Sequence, residues 1–419
     1  MKLRKCSILL TLFFFFTQST DAQDLVLPIE GTYGVDYIIV NYPDWHLTDG
    51  PVLVEDGFLN DFQCGSKTYD GHQGTDFVIR GFAQMDSSVN VLAVADGLII
   101  HVTEDLFDRE TDGIIADGLG NYVGIYHASS DTYTYYAHLK TNSVPVEEGD
   151  FVAAGQIIGQ VGSSGNSTDP HLHFEMWNPG VLTDPTIDPW GTPCAEGSNL
   201  WADSPAYDTT YAVWEHGFVN YDTVDNFIPS TWLPLKERMD LRTAFTTDDD
   251  YFTFWALQYG LKIGDQTSIE WIDPTGAVYA SETTNYTTQD WWFHYYNHSI
   301  SRPPLYLQGV WTVNYYYNDS LVLVQPVSYG NLSVLENDQE SNELTITKID
   351  HSIYRVQCPN ASLEMHVNLY ALNGQLLFQE KCTEGLTCEL KLPPNLETGL
   401  YLILVTQNNT QFQKIVFIE

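Results

Sequence analysis

Two short stretches carry the residue types that could do chemistry. In Asp169-Pro170-His171-Leu172-His173-Phe174-Glu175 the two histidines are separated by one residue. On an extended strand they would project from the same face, with Leu172 and Phe174 turned to the opposite face and a core. In Gly71-His72-Gln73-Gly74-Thr75-Asp76-Phe77 an imidazole and a carboxylate stand four positions apart. Gly71 and Gly74 argue against a helix there, and Phe77-Val78-Ile79 argues for a strand, on which His72 and Asp76 would share a face. His72, Asp76 and one histidine of the later pair would give two nitrogens and one oxygen, a set that suits zinc with its fourth position open for water and hence catalysis. The histidine left over could then act on whatever the metal holds.

The order of motifs carries a resemblance. His72-x-x-x-Asp76, then Tyr136-Ala137-His138-Leu139, then His171-Leu172-His173-Phe174-Glu175 resembles the lysostaphin-type (LytM-like) zinc endopeptidases, which cut peptidoglycan cross-links. The similarity runs from about Gly71 to Trp177. Ala95-Asp96-Gly97, Gly120-Asn121-Tyr122-Val123, the run Val152 to Gly159 and the run Gly162 to Ser167 fall where that family has its glycine turns and strands. The resemblance implies that His72, Asp76 and His173 are the zinc ligands, one Zn2+ per catalytic domain, and that His138 and His171 are the catalytic pair. Glu175 points to the strand face of the histidines, as base or as structural support. An acidic insertion from Glu104 to Asp117 departs from the family pattern and would reshape one wall of the groove.

The elements that must position these residues read as mostly β. Aromatics make up 14% of the chain, and Tyr and Trp recur among Val, Thr and Ile between Asn, Asp and Gly turns. A length of 419 residues exceeds one ordinary core. The expected order is a signal peptide over 1–22, an antiparallel-sheet zinc peptidase domain over 23–195, a β-sandwich over 196–332 and a small C-terminal β-sandwich over 336–419. Lys2, Arg4 and Lys5 precede a short apolar run ending at Phe16, the pattern of a cleaved secretory signal. No later stretch reaches membrane length. Five cysteines would remain after cleavage. Cys64 with Cys194 would staple the ends of the catalytic domain, and Cys358, Cys382 and Cys388 would give one pair and one leftover.

In the sandwich, Trp291-Trp292-Phe293-His294-Tyr295-Tyr296 has two readings, a platform for sugar rings or a core, and alternating aromatics favour the core. Asp248-Asp249-Asp250 reads as a solvated loop rather than a calcium site. His46, His101, His127, His216, His294, His298, His351 and His366 have no partner motif and read as surface or packing residues. The tail, with Asn373-Gly374 as a hairpin turn, Thr398-Gly399-Leu400-Tyr401 and the ending Lys414-Ile415-Val416-Phe417-Ile418, resembles the C-terminal sorting domain of the type IX secretion system of Bacteroidetes. That resemblance implies outer-membrane secretion machinery as a partner. The usual opening motif is missing near Glu336-Asn337-Asp338.

A formal charge of -38, from 17 Lys+Arg against 55 Asp+Glu, argues against nucleic acid as a partner and against adsorption to an anionic wall. The expectation is therefore a secreted or cell-surface zinc endopeptidase acting on bacterial peptidoglycan. Its rivals are a secreted metalloprotease of extracellular proteins and a non-catalytic wall-binding regulator.

Overall fold

The computed structural model describes residues 24–45, 58–113, 118–180, 186–191, 194, 197–220, 233–239, 241–330, 345–350, 353–357, 365–371, 376–382, 387–392, 399–407 and 410–418. The expected signal peptide, His46, His351, Cys358, the Asn373-Gly374 turn, the stretch around Glu336 and the end of the acidic insertion lie outside the described residues.

Among the described residues the first module has nine strands: β1 (Ile38–Asn41), β2 (Thr75–Val78), β3 (Asn90–Leu92), β4 (Gly97–Thr103), β5 (Tyr122–His127), β6 (Thr132–Ala137), β7 (Phe151–Val152), β8 (Ile157–Gln160) and β9 (His171–Trp177). Seven of them form one antiparallel sheet in the order β1-β2-β9-β6-β5-β4-β7, and β3 pairs with β8. Period-two alternation sends Leu172 and Phe174 to the buried face, where they meet Phe77, Val123, Ile125 and Tyr136. Each such side chain contributes on the order of 1.5–3 kcal/mol by leaving water. As expected, β9 turns both histidines to the other face. A disulfide joins Cys64 to Cys194, with Cα atoms 5.3 Å apart.

The second module is a sandwich of two sheets. Its strands are β10 (Ala212–Val219), β11 (Leu241–Arg242), β12 (Ala244–Phe245), β13 (Tyr251–Tyr259), β14 (Gln266–Ile272), β15 (Val278–Asn285), β16 (His294–Ser301), β17 (Gly309–Tyr317) and β18 (Ser320–Tyr329). The sheets β11-β10-β13-β16 and β12-β18-β17-β14-β15 enclose Phe254, Trp271, Trp311 and Tyr315. All pairings are antiparallel except the short one between β12 and β18. Asp249 is buried and accepts from Thr246 N and Oγ1, so its carboxylate caps a turn.

Beyond it, β19 (Thr345–Asp350), β20 (Ile353–Gln357) and β23 (Thr387–Lys391) form one sheet, and β21 (Met365–Ala371), β22 (Leu376–Cys382), β24 (Gly399–Gln407) and β25 (Thr410–Ile418) form another. Val356 and Leu390 of the first bury against Val367, Leu369, Ile403 and Val405 of the second. The disulfide Cys382–Cys388 links β22 to β23 across the two sheets.

The aromatic run Trp291–Tyr296 bears out the core reading in part: Tyr296 is buried in the sandwich interior against Tyr315, while Trp292 faces the first module. Trp292 is buried neither in the sandwich core nor as a sugar platform; it packs on the outward side chains Ile38, Val40 and Val78 of β1 and β2. Its Nε1 donates to the Ser66 carbonyl at 2.9 Å. This outward face of β1 and β2 is an apolar surface that must be covered, and the second module covers it. No described helix is long and apolar enough to cross a membrane.

Candidate metal centre and its two walls

Register brings the ligand candidates together. Asp76 of β2 stands directly opposite His173 of β9, and on the far sides Asn41 pairs with Asp76 and Ala137 with His173. Directly opposed residues point to the same face, so this one row across the sheet lines up Asn41, Asp76 and His173. His173 Nδ1 lies 2.8 Å from Asp76 Oδ1. Contrary to the expectation, His72 is not on a strand with Asp76, because β2 begins only at Thr75. It sits in the preceding turn, where Gly71 takes a positive φ of 76° and His72 N donates to the Tyr69 carbonyl. Its Nε2 reaches Asp76 Oδ1 at 3.1 Å and His173 Nδ1 at 3.2 Å. Gly74 makes this approach possible: a Cβ there would lie 2.6 Å from the Phe174 carbonyl and 2.8 Å from the His173 ring.

Tautomers follow from the partners. His72 Nδ1 faces the Tyr42 carbonyl at 2.8 Å, an acceptor, so that nitrogen carries the proton and Nε2 is left with its lone pair. His173 Nε2 faces Glu175 Oε1 at 2.9 Å and is likewise the protonated nitrogen. Asn41 Nδ2 donates to the second oxygen of Asp76 at 2.8 Å. Two nitrogen lone pairs and a carboxylate oxygen, all buried and all within 4.8 Å of one another, therefore converge. Three acceptors with no donor between them fit a cation, and the two-nitrogen, one-oxygen set fits zinc with a position open. Without a cation the pocket would hold a proton. Burial lowers the His173 pKa, but hydrogen bonds to Asp76 and Glu175 outweigh it and push the value up to about 10. Asp76 is likewise raised by burial yet held well below the carboxylate range by the His72 charge and the hydrogen bonds from His173 and His72.

The second wall is built from His138 and His171, whose rings lie 4.6 Å apart. His171 follows from the alternation of β9. His138 does not follow from β6: the preceding Ala137 already faces the site opposite His173, so a continued strand would turn His138 to the core. Its backbone instead adopts a φ of 60°, a left-handed conformation that few non-glycine residues hold, and the ring comes back to the site face. The His138 ring centre is 5.7 Å from that of His173. His138 Nδ1 donates to the Ser164 carbonyl at 2.7 Å and His171 Nδ1 to the Asp169 carbonyl at 2.8 Å. Nε2 is thus the unprotonated nitrogen of each ring, and His171 Nε2 lies 3.7 Å from Asp76 Oδ1. Burial, then the neighbouring His171 and His173 charges, holds His138 well below the usual histidine value; burial also lowers His171, against the opposing pull of Asp76. Gly120 lets the Ser164 loop approach, since a Cβ there would meet the Ser164 backbone at 2.4 Å.

The structure brings all five candidate residues together. Glu175 is buried, and its Oε1 is engaged with His173 Nε2. His127 closes β5 away from the site, between the Asp96 carbonyl and Thr134 Oγ1. Sequence reasoning missed Asn41, the Tyr42 carbonyl, and the Ser164 and Asp169 carbonyls. A main-chain oxygen has no side-chain signature; the one local signal is that Tyr42 precedes Pro43, which favours extended backbone. The described part of the acidic insertion lies along the Ser163 loop, with Glu110 N donating to the Ser163 carbonyl and Ser163 N to that of Asp108.

Comparison with known proteins points the same way. Residues 70–185 match the family model described as Peptidase family M23. The chain is 35% identical over 118 residues to glycyl-glycine endopeptidase ALE-1 of Staphylococcus capitis, covering 28% of this chain and 28% of that protein. It is 34% identical over 115 residues to peptidoglycan DD-endopeptidase ShyC of Vibrio cholerae serotype O1, covering 27% and 22%. An uncharacterized metalloprotease of Buchnera aphidicola subsp. Baizongia pistaciae is 28% identical over 191 residues, covering 41% and 46%. Among solved structures, the catalytic domain of lysostaphin from Staphylococcus simulans aligns at 26% identity over 36% of this chain and 85% of that one, with a TM-score of 0.23. The chain spans less than half the length of these curated relatives. The family match supports a metallopeptidase domain in that stretch.

Proposed function

We propose that this chain is an exported zinc endopeptidase that hydrolyses peptide bonds of bacterial peptidoglycan. The observation that carries the reading is the convergence of His72 Nε2, Asp76 Oδ1 and His173 Nδ1 beside the further imidazoles of His138 and His171, whose ring centres are 4.6 Å apart. The substrate class rests on the relative described as a peptidoglycan DD-endopeptidase and on the family match over residues 70–185. Zinc held by His72, Asp76 and His173 would supply Lewis-acid polarisation of a carbonyl and a water acidified toward neutral pH. His138 and His171, neutral and with their Nδ1 protons committed to carbonyls, would accept a proton at Nε2 and return it to the leaving amine. As imidazolium either ring would also stabilise negative charge on the attacked oxygen. Asn41, Glu175 and the Tyr42 carbonyl would hold the ligands in orientation.

Incubating the purified chain with peptidoglycans of defined cross-link, and sequencing the released peptides by mass spectrometry, tests the reading. Expected are new peptide termini at one bond type and about one zinc per chain by elemental analysis. Release from a panel of extracellular proteins with intact peptidoglycan would instead favour the protein-directed protease, and a zinc-free chain that releases nothing would favour the regulator.

Export rests on residues 1–22 as a signal peptide and on the tail from 336 as a type IX sorting domain read by outer-membrane machinery. A chain ending at Tyr329 should then keep its zinc, stability and rate in vitro, yet stay in the periplasm of the native host. Normal surface delivery of that chain would end the sorting assignment.

A further inference from the structure

Helix α1 (Leu233–Lys236) of the second module ends at Lys236, and Lys236, Glu237 and Arg238 each reach a different segment of the first. Arg238 donates to the Arg80 carbonyl, which also accepts from Tyr295 Oη. Glu237 takes the guanidinium of Arg109, a residue of the acidic insertion. Lys236 Nζ donates to the Thr168 carbonyl and forms an ion pair with Asp169 Oδ1 at 2.9 Å. Lys236 is 6% exposed, whereas a lysine ordinarily keeps its ammonium in water, so its burial needs these partners.

What Lys236 grips is the segment that sets the state of His171. The Asp169 carbonyl accepts the His171 Nδ1 proton at 2.8 Å, and Ser167 Oγ, which donates to the same carbonyl at 3.0 Å, lies 3.2 Å from that nitrogen. These acceptors keep the proton on Nδ1. At the other end of the ring Nε2 lies on the side of the ligand candidates, 3.7 Å from Asp76 Oδ1, and a displaced Asp169 carbonyl would no longer hold the proton on Nδ1. We infer that Lys236 is a positioning residue of the reaction: it holds Thr168 and Asp169 against the first module, so that His171 stays in the Nδ1–H tautomer with Nε2 open. The second module thereby completes the proton-transfer wall. This assignment rests on the reading of His171 as a proton carrier.

The test uses the full, zinc-loaded chain with 15N-labelled histidine rings. In the wild type, His171 should show a single Nδ1–H tautomer. Lys236→Met, which keeps most of the apolar stem, should give a mixture of tautomers with zinc content unchanged. On purified peptidoglycan sacculi its kcat should fall roughly 10- to 100-fold at constant KM, the usual cost of a catalytic group held about an ångström out of place. Lys236→Arg should restore both readouts. Asp169→Asn keeps the carbonyl and removes the ion pair; it should shift the tautomer in the same direction, and it decides the matter if Lys236→Met does not fold. A single Nδ1–H tautomer in the folded variants, whatever their thermal stability, overturns the assignment. If the wild type leaves sacculi intact, the peptidoglycan reading fails while the tautomer spectra still decide this one.

Discussion

Histidines stand on both walls of the site, and the two walls are held by different parts of the molecule. On the ligand wall, Asp76 and His173 lie in one cross-strand row, and their supports Asn41, Tyr42 and Glu175 belong to that row or adjoin it. On the proton-transfer wall, His138 and His171 take their orientation from carbonyls of the loop between β8 and β9, which Gly120 admits from one side and Lys236 grips from the other. A metal site built into sheet register is rigid because moving one ligand means breaking a ladder of backbone hydrogen bonds. A site built on loop carbonyls is only as rigid as whatever holds the loop. Damage to the first wall should therefore cost the metal, and damage to the second should cost rate alone.

The sharpest break is His173→Ala, which removes the nitrogen at the centre of the row. Zinc content and hydrolysis should both vanish; near-stoichiometric zinc in the folded variant would sink the ligand assignment. His138→Ala should keep its zinc and lose roughly two to four orders of magnitude in rate, the size of a general acid-base contribution. Zinc loss in that variant would mean that ligand and catalyst have been exchanged.

A finer probe is Glu175→Ala, which leaves all three ligands but frees His173 Nε2 from its acceptor. Zinc affinity, read by competition with a chelator, should weaken by roughly 10- to 100-fold. An unchanged affinity would show that register alone orients the ring.

The smallest effect concerns the cover over β1 and β2. Lys67 is buried beside Trp292, donates to the Asp208 carbonyl at 2.7 Å, and is pushed by burial down to about 8. Between that value and its ordinary 10.5, the folded chain binds fewer protons here than the unfolded chain. Stability from this group therefore rises with pH through the window, and below it the buried charge is a standing cost. The difference in Tm between Lys67→Met and the wild type should accordingly favour the variant at pH 7 and shrink as pH climbs above 8. A difference constant from pH 7 to 9.5 would place the Lys67 ammonium in water.

Much of this was legible without coordinates, for a reason visible in particular residues. Alternation along His171-Leu172-His173-Phe174 needs only an extended backbone, and that backbone follows from the β-branched and aromatic setting. A cysteine pair bracketing the module, Cys64 with Cys194, needs only an exported chain. His72 converges with Asp76 as the spacing suggested, although through a glycine turn and not along a strand.

The sequence by itself determined the ligand types, the face on which His171 and His173 emerge and the mostly β class, because these depend on local periodicity and side-chain chemistry. Only the tertiary structure decided the register that sets Asp76 against His173, the positive φ that returns His138 to the site, and Glu175 as a support for His173. It also decided that Trp292 covers an apolar sheet face and that Lys236 reaches Asp169. Apart from the Glu175–His173 pair, which is two residues apart on one strand, each of these joins residues far apart in the chain or sets local strain against distant packing, and no pattern along the chain carries that information.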